Sequence, residues 1–244
     1  MSYTLFISDL HLHDGSHLRN KLVHQLLQGP ALACDALYIL GDLFEAWPGD
    51  DDNSNIAQTL RTDLRFLTTR GIPVYLMRGN RDFLLGQRFC QAAGATLLAD
   101  PSVIDLYGVA TLLMHGDTLD ANDQAYLWYR WAIQSNPARV IARCLPLRWR
   151  LKLAKQLRRL SEARGKQYIF RDFVLQTLVT QLQRHHATQL IHGHTHHPTI
   201  QHFQSDLSRY VLSDWTDTAC GLCVYADGRK RLGAIDHLLE TAEL

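Results

Sequence analysis

Long apolar runs are absent. No stretch of 18 apolar residues occurs in the 244-residue chain, so no membrane-spanning helix is expected. A signal peptide is not expected either, because Tyr3-Thr4-Leu5-Phe6-Ile7 reads directly as a strand, with no basic segment leading into an apolar one. Internal repeats and low-complexity tracts are missing, which excludes solenoid and disordered-tail readings. The five cysteines (34, 90, 144, 220 and 223) are odd in number and scattered, so reduced thiols are expected rather than a disulfide framework. Cys220 and Cys223 have CxxC spacing but no second pair, and they fall in an expected strand over 221–225. A zinc or redox role is therefore not assigned to them. Net charge is also scarce, at +1, but it is unevenly spread. Residues 139–171 carry eleven Lys or Arg and one acid, Glu162, leaving fourteen basic against twenty-three acidic residues elsewhere. Such a basic block suits a polyanionic partner, whether nucleic acid, anionic lipid or phosphorylated substrate, or else a solvated helix face.

What is present is a set of five short polar segments: Asp9-Leu10-His11, Gly41-Asp42, Gly79-Asn80-Arg81-Asp82, His115-Gly116-Asp117 and Gly193-His194-Thr195-His196. Each follows a short apolar run that reads as a strand (5–7, 37–40, 74–77, 112–114 and 190–191), and α/β folds build their sites at strand ends. Helices are expected near 18–29, 54–70, 84–93, 121–134, 138–163 and 168–185, so the first half reads βαβαβ. Further strands are expected at 188–192, 209–214 and 221–226. The length suits one domain spanning 1–244, with 121–185 as a helical insertion or cap.

Strand alternation would put Asp9 with His11, and His194 with His196, on the same side. Asp42 has two oxygens with which to bridge two cations, Asn80 offers an amide oxygen and His115 an imidazole. This donor set suits manganese, iron or zinc better than calcium or magnesium. Two such ions about 3.5–4 Å apart can share an activated water and clamp phosphoryl oxygens. Asp82, Asp117 and His192 are candidates for orienting the ligands. His13 and His17 are expected to be exposed near the mouth, and His197 to turn away. Leu43, Phe44 and Trp47 adjoin the motif, with Trp47 a candidate substrate contact. Asp50-Asp51-Asp52 reads as a solvated turn.

In the insertion, Trp149, Leu153, Leu157 and Leu160 share one helical face beside a stripe of Arg148, Lys152, Lys155 and Arg159. That face either lies in a membrane interface, lines an acyl groove together with Tyr126, Leu127, Tyr129, Trp131 and Ile133, or packs on the domain.

The ordered set DxH, GD, GN, H and GHTH resembles the calcineurin-like metallophosphoesterases. The stretches Gly41 to Trp47, Gly49-Asp50-Asp51, Gly79 to Leu84 and His115 to Leu119 are similar to the UDP-2,3-diacylglucosamine hydrolase family of lipid A biosynthesis. The resemblance implies an α/β fold, an αββα sandwich of two mixed sheets with a helical cap. It implies two manganese ions, one held by Asp9, His11, Asp42 and His196, the other by Asp42, Asn80, His115 and His194. Asp42, Asn80, His115 and His194 would be catalytic. Asn80, Arg81, Asp123, Ser161, Arg164, Lys166 and His194 would contact substrate. The implied reaction converts UDP-2,3-diacylglucosamine and water to UMP and 2,3-diacylglucosamine 1-phosphate, by two-metal-activated attack on the α-phosphorus. The implied setting is the cytoplasmic face of the inner membrane. There a peripheral monomer would meet the membrane surface through its basic, leucine-rich cap, with no nucleic-acid partner.

Many members of the superfamily carry histidine where this chain has Arg81. Arginine cannot donate a proton at neutral pH but grips phosphate well. A sugar 1-phosphate leaves without a proton, so Arg81 favours a pyrophosphate substrate over an alkyl ester. Its alternative is a structural ion pair with Asp82 or Asp117. Two other functions stay open on the motifs alone: a nuclease or cyclic-nucleotide diesterase, and a scaffold with a degenerate metal site.

Overall fold

The computed structural model describes residues 2–119, 124–152, 173–203 and 206–235. Three short apolar segments, β1 (Tyr3–Ile7), β2 (Ala36–Leu40) and β3 (Val74–Met77), form the parallel centre of the first sheet and are almost wholly buried. Strands covered on both faces read as continuous hydrophobic runs. A short β4 (Thr96–Leu97) extends the sheet beyond β3, while β10 (Cys220–Tyr225) and β11 (Lys230–Ala234) extend it antiparallel beyond β1. The second sheet is built from β5 (Ser102–Leu106), β6 (Val109–Met114), β7 (Gln189–His192), β8 (Thr199–His202) and β9 (Ser208–Val211), in the order β5-β6-β7-β9-β8. Its central β6, β7 and β9 are parallel, and both edge strands are antiparallel.

Alternation along β1 divides the core. Leu5 and Ile7 point outward to the helices α1 (His17–Gln28), α2 (Asn55–Thr68) and α3 (Gln87–Ala93), where Leu27, Leu64 and Phe89 meet them. Phe6 points inward between the sheets, stacked on Tyr38 at 4.9 Å and packed with Leu113, Ile191 and Leu222. Burying an aromatic side chain of this kind contributes roughly 1.5–3 kcal/mol. The fold is thus α/β, two mixed sheets with flanking helices.

Between β6 and β7 the chain turns helical. The described helices there are α4 (Gln124–Gln134), α5 (Asn136–Cys144), α6 over 147–152, and α7 (Phe173–Arg184). The single helix expected over 138–163 is broken at Leu145-Pro146. Leu145 is extended (φ −76°, ψ 142°), because the residue before a proline is sterically pushed out of the helical region. The expected insertion 121–185 also reaches too far. Leu178 and Leu182 of α7 pack on Leu112, Met114 and Leu190, so α7 is the outer layer of the second sheet. The strand expected over 209–214 stops at Val211. Cys220 and Cys223, three apart on β10, point to opposite faces and are free thiols. Asp123, Ser161, Arg164 and Lys166 lie outside the described residues, as do Lys155, Arg159, Leu153, Leu157, Leu160 and the Tyr129 side chain.

Two arginine-centred ties fasten the insertion to the sandwich. On α4, Tyr126 donates to Asp117 at 2.7 Å and Arg130 pairs with both Asp117 and Asp100. Near the start of α6, buried Arg150 makes a two-point pair with Asp51 and donates to the carbonyl oxygens of Pro48 at 2.6 Å and Leu145 at 2.9 Å. The exposed side of the insertion carries Trp128, Trp131 and Ile141, each about two-thirds exposed at 70%, 68% and 65%.

Arg150→Gln is expected to speed amide exchange over 136–152 on the order of tenfold, leaving the sheets unchanged. The hydrogen bond from Arg150 holds the Asp51 carboxyl below the usual carboxylate range. A folded pKa below the unfolded one means the tie is complete above the ordinary Asp range and is lost as pH falls through the lowered value. Acidifying the wild type through that window should reproduce the exchange of the variant once intrinsic rates are corrected. Equal exchange in variant and wild type at neutral pH would rule out this tie.

Candidate metal centre

All five polar segments meet at one edge, where the C-terminal ends of β1, β2 and β3 from one sheet face those of β6 and β7 from the other. Backbone hydrogen bonds knit the loops together. Asp9 N–H donates to the Gly41 carbonyl at 3.1 Å, His11 N–H to Asp42 at 3.0 Å, and Gly193 N–H to His115 at 2.9 Å. Asp9, His11, Asp42, His194 and His196 all have positive φ, between 48° and 70°. Non-glycine residues rarely adopt this left-handed conformation, and such strain persists where surroundings over-determine it. Asp9 with His11, and His194 with His196, are therefore brought together by alternating left-handed turns beyond the strands, not by strand alternation as expected.

The motif glycines have a steric reason. A Cβ at Gly79 would collide with the Asp42 carboxylate, and one at Gly193 with the Asp9 carboxylate. Behind them, fully buried Asp82 accepts from Leu43 N–H at 2.7 Å and Gly79 N–H at 2.6 Å, tying the β2 loop to the β3 loop. Asp9 Oδ2 accepts from Ser8 Oγ at 2.6 Å and His194 N–H at 2.9 Å.

The side chains form two overlapping groups able to hold a cation: Asp9, His11 and His196, and Asp9, Asp42 and His115. Asp9 is their common member, whereas the family pattern makes Asp42 the bridge. Asn80 Oδ1 lies 3.0 Å from His115 Nε2, and the His194 ring stands edge-on to His115 at 5.1 Å. All seven expected ligands therefore converge.

The polarity of the atoms supports a cation at each group. His115 Nδ1 lies 3.0 Å from the Leu40 carbonyl and donates to it in the neutral ring. This leaves the lone pair of Nε2 facing Asn80 Oδ1 and, at 3.6 Å, Asp42 Oδ1. Three acceptors that face one another need a shared positive charge. His11 Nε2 and His196 Nε2 lie 3.4 Å apart, and beside them Asp9 Oδ1 and His11 Nδ1 are buried without a hydrogen bond. In the metal-free chain protons take the load. Burial works against charge on His115, but Asp42, Asp9 and Asp117 outweigh it and raise the group to about 9. Burial pushes Asp42 up to about 7, with His115 pulling the other way. Burial and the neighbouring His115 lower His194 to about 4.

Arg81 sits beside this cluster. Its N–H donates to Asp42 Oδ1 at 2.9 Å, its Nε lies 3.5 Å from Asp42 Oδ2, and its guanidinium pairs closely with Glu45. The ion-pair partner is thus Glu45 with Asp42, not Asp82 or Asp117. Glu45, 8% exposed and with Oε2 3.6 Å from His11 Nδ1, is a site residue the sequence reading left without a role. Its signal was its place within the Gly41 to Trp47 motif. Arg130 and Asp100 were also missed. They support His115 from behind, Asp100 accepting from its N–H at 3.4 Å. Asp214, 3.5 Å from His196 Nδ1, comes from the loop after β9 and matches no motif.

Other expectations change. Trp47 is no substrate contact: it is 2% exposed, stacked on Phe44 at 4.2 Å and set edge-on to Phe89. The three acids after it are not a solvated turn. Asp50 accepts from Gly86 and Phe89 N–H at the start of α3, Asp51 holds Arg150, and Asp52 binds Ser54 at the start of α2. Asp117 receives Tyr126 and Arg130. Buried His192 accepts from Arg209 at 2.8 Å and braces the strand that leads to His194. His13 and His17 are exposed and line a cavity of about 720 Å³ at the His11 and His196 side, while His197 is exposed.

Comparison with known proteins agrees with this geometry. The model of the calcineurin-like phosphoesterase family matches residues 3–198. A Pseudomonas fluorescens UDP-2,3-diacylglucosamine hydrolase is 44% identical over 92% of this chain and 92% of its own length. Proteins of the same name from Neisseria gonorrhoeae and Photobacterium profundum are 41% and 40% identical over 93% of this chain and 96% and 95% of theirs. The chain is therefore a hydrolase of the calcineurin-like phosphoesterase family and belongs with the UDP-2,3-diacylglucosamine hydrolases.

Proposed function

We propose that this chain hydrolyses UDP-2,3-diacylglucosamine to UMP and 2,3-diacylglucosamine 1-phosphate, with two manganese ions per chain and attack on the α-phosphorus. The observation that carries the reading is the combination of an acceptor-rich centre with Arg81 at its rim, backed by Glu45 and Asp42. When bound, the ions supply an activated water and stabilise charge on the phosphoryl oxygens. Asp9, His11, Asp42 and His196 would hold one ion, and Asp42, Asn80, His115 and His194 the other. Asn80 and His194 would also orient the phosphates. Glu45 holds the Arg81 guanidinium in place, so Arg81 meets phosphate oxygens at little orientational cost. Arg81 offers no proton to a leaving group, which a sugar 1-phosphate does not need.

The helical insertion supplies the lipid side of the reading. Its exposed Trp128, Trp131 and Ile141 suit acyl chains and a bilayer surface better than a base-stacking platform for nucleic acid. The proposed setting is peripheral attachment to the cytoplasmic face of the inner membrane, as a monomer.

Hydrolysis in ¹⁸O-water, read by mass spectrometry, is expected to label UMP. Label in the lipid phosphate would move the attack to the other phosphorus, and absence of turnover would remove the substrate assignment. Asp42→Ala and His115→Ala are expected to lower turnover about a hundredfold or more with an unchanged circular dichroism spectrum. Near-normal turnover of either variant after metal stripping and manganese reloading would refute the centre. The protein is expected to pellet with inner-membrane vesicles at low ionic strength and to be released by salt. Full recovery in the supernatant at low salt would count against the membrane attachment.

A further inference from the structure

The cavity of about 720 Å³ beside the metal centre is not accounted for by the metal ligands or by the insertion. Its size falls within the roughly 300–1,000 Å³ of small-molecule sites. From the centre it takes His11 and His196, members of the first cation group, together with Arg81 and Glu45. Its far wall comes from two places: the loop and first turn of α1, including His17 and Arg19, and the loop after β9, with Asp214, Thr216 and Asp217. The second loop has a firm footing, because Trp215 is fully buried between these residues and donates to the Cys220 carbonyl at 2.8 Å.

Among the described residues most of the lining side chains are polar or charged, and Leu18 is the one aliphatic side chain. Those residues offer two acyl chains no apolar wall. The described part of the insertion contributes nothing to this lining; it attaches through Tyr126 and Arg130 to Asp117 and through Arg150 to Asp51 and Pro48, and its exposed face is apolar. A substrate with a lipid half and a nucleotide half therefore meets two chemically different flanks. Resting on the proposed reaction, we infer that this cavity is the subsite for the nucleoside half, a pyrimidine nucleoside 5′-phosphate. Its phosphate lies at Arg81 and the metal centre, and its ribose and base lie along Arg19, Thr216 and Asp217. The chemistry is complementary. Two vicinal ribose hydroxyls donate to a carboxylate such as Asp217, and the uracil carbonyls accept from a guanidinium such as Arg19.

The test is isothermal titration of UMP, ribose 5-phosphate and inorganic phosphate into the manganese-loaded full chain and into Arg19→Ala, Asp217→Asn and the double variant. None of these residues is a metal ligand. The wild type is expected to bind UMP at least tenfold more tightly than inorganic phosphate. Each single variant should weaken UMP about three- to tenfold and the double variant more, with phosphate affinity unchanged. Equal affinity of the wild type for all three ligands, or unaltered UMP binding in the double variant, would overturn the assignment. A loss of phosphate affinity parallel to that of UMP would also overturn it, because it would mean that the substitutions had damaged the centre. The substrate assignment fails separately. UMP selectivity lost in the variants, in a chain that does not turn over UDP-2,3-diacylglucosamine, supports the nucleoside subsite and removes the lipid substrate. Turnover with unaltered UMP binding in the variants does the reverse.

Discussion

Acceptor atoms forced to face one another are the constraint from which the rest of the centre follows. His115 Nε2 points at Asn80 and Asp42 oxygens, and the buried Asp9 Oδ1 and His11 Nδ1 have no hydrogen-bond partner. In a low-dielectric setting such an arrangement is costly until a positive charge is placed in its midst. The left-handed backbone at five ligand residues, the cross-loop hydrogen bonds and the buried Asp82 brace all hold that unfavourable geometry in place. Stability released elsewhere, in three apolar layers between helices and sheets, offsets it.

Much of this was legible in the chain itself. The strands β1, β2, β3, β6 and β7 are dense apolar runs, and each ends in its polar segment because a parallel strand covered on both faces can carry functional groups only at its end. The ligand identities were legible for the same reason. What brings them together was not. Dihedral angles beyond a strand end depend on neighbours distant in sequence, so Asp9 and His11 share a site through a backbone conformation that no two-residue periodicity encodes. Trp47 was misread because its proximity to Asp42 in sequence says nothing of which side of the loop it occupies. Phe44 and Phe89 take it into the core. Asp214 escaped notice because its strand, β9, carries no motif, and only the parallel pairing with β7 brings its loop to the same edge.

The insertion divides in the same way. Its helical character and its basic excess are compositional and were read directly, and Pro146 broke the long helix for a local reason that the proline itself announces. The assignment of α7 to the sandwich depended on Leu178 and Leu182 meeting Leu112 and Met114, contacts that join segments more than sixty residues apart. The ties through Arg130 and Arg150 use carboxylates, Asp117 and Asp51, which in sequence look like ornaments of the metal motifs.

The shared pairing of Arg81 with Glu45 and Asp42 also sets the charge balance at the rim of the centre. The chain has there a permanent cation that two carboxylates divide between them. Exchanging it alone would leave Glu45 and Asp42 as neighbouring like charges beside His11, with no fixed countercharge at the rim. Arg81 and its two carboxylates thus form one electrostatic unit, so a change of charge at position 81 is felt at Asp42 and His11 as well as at Glu45.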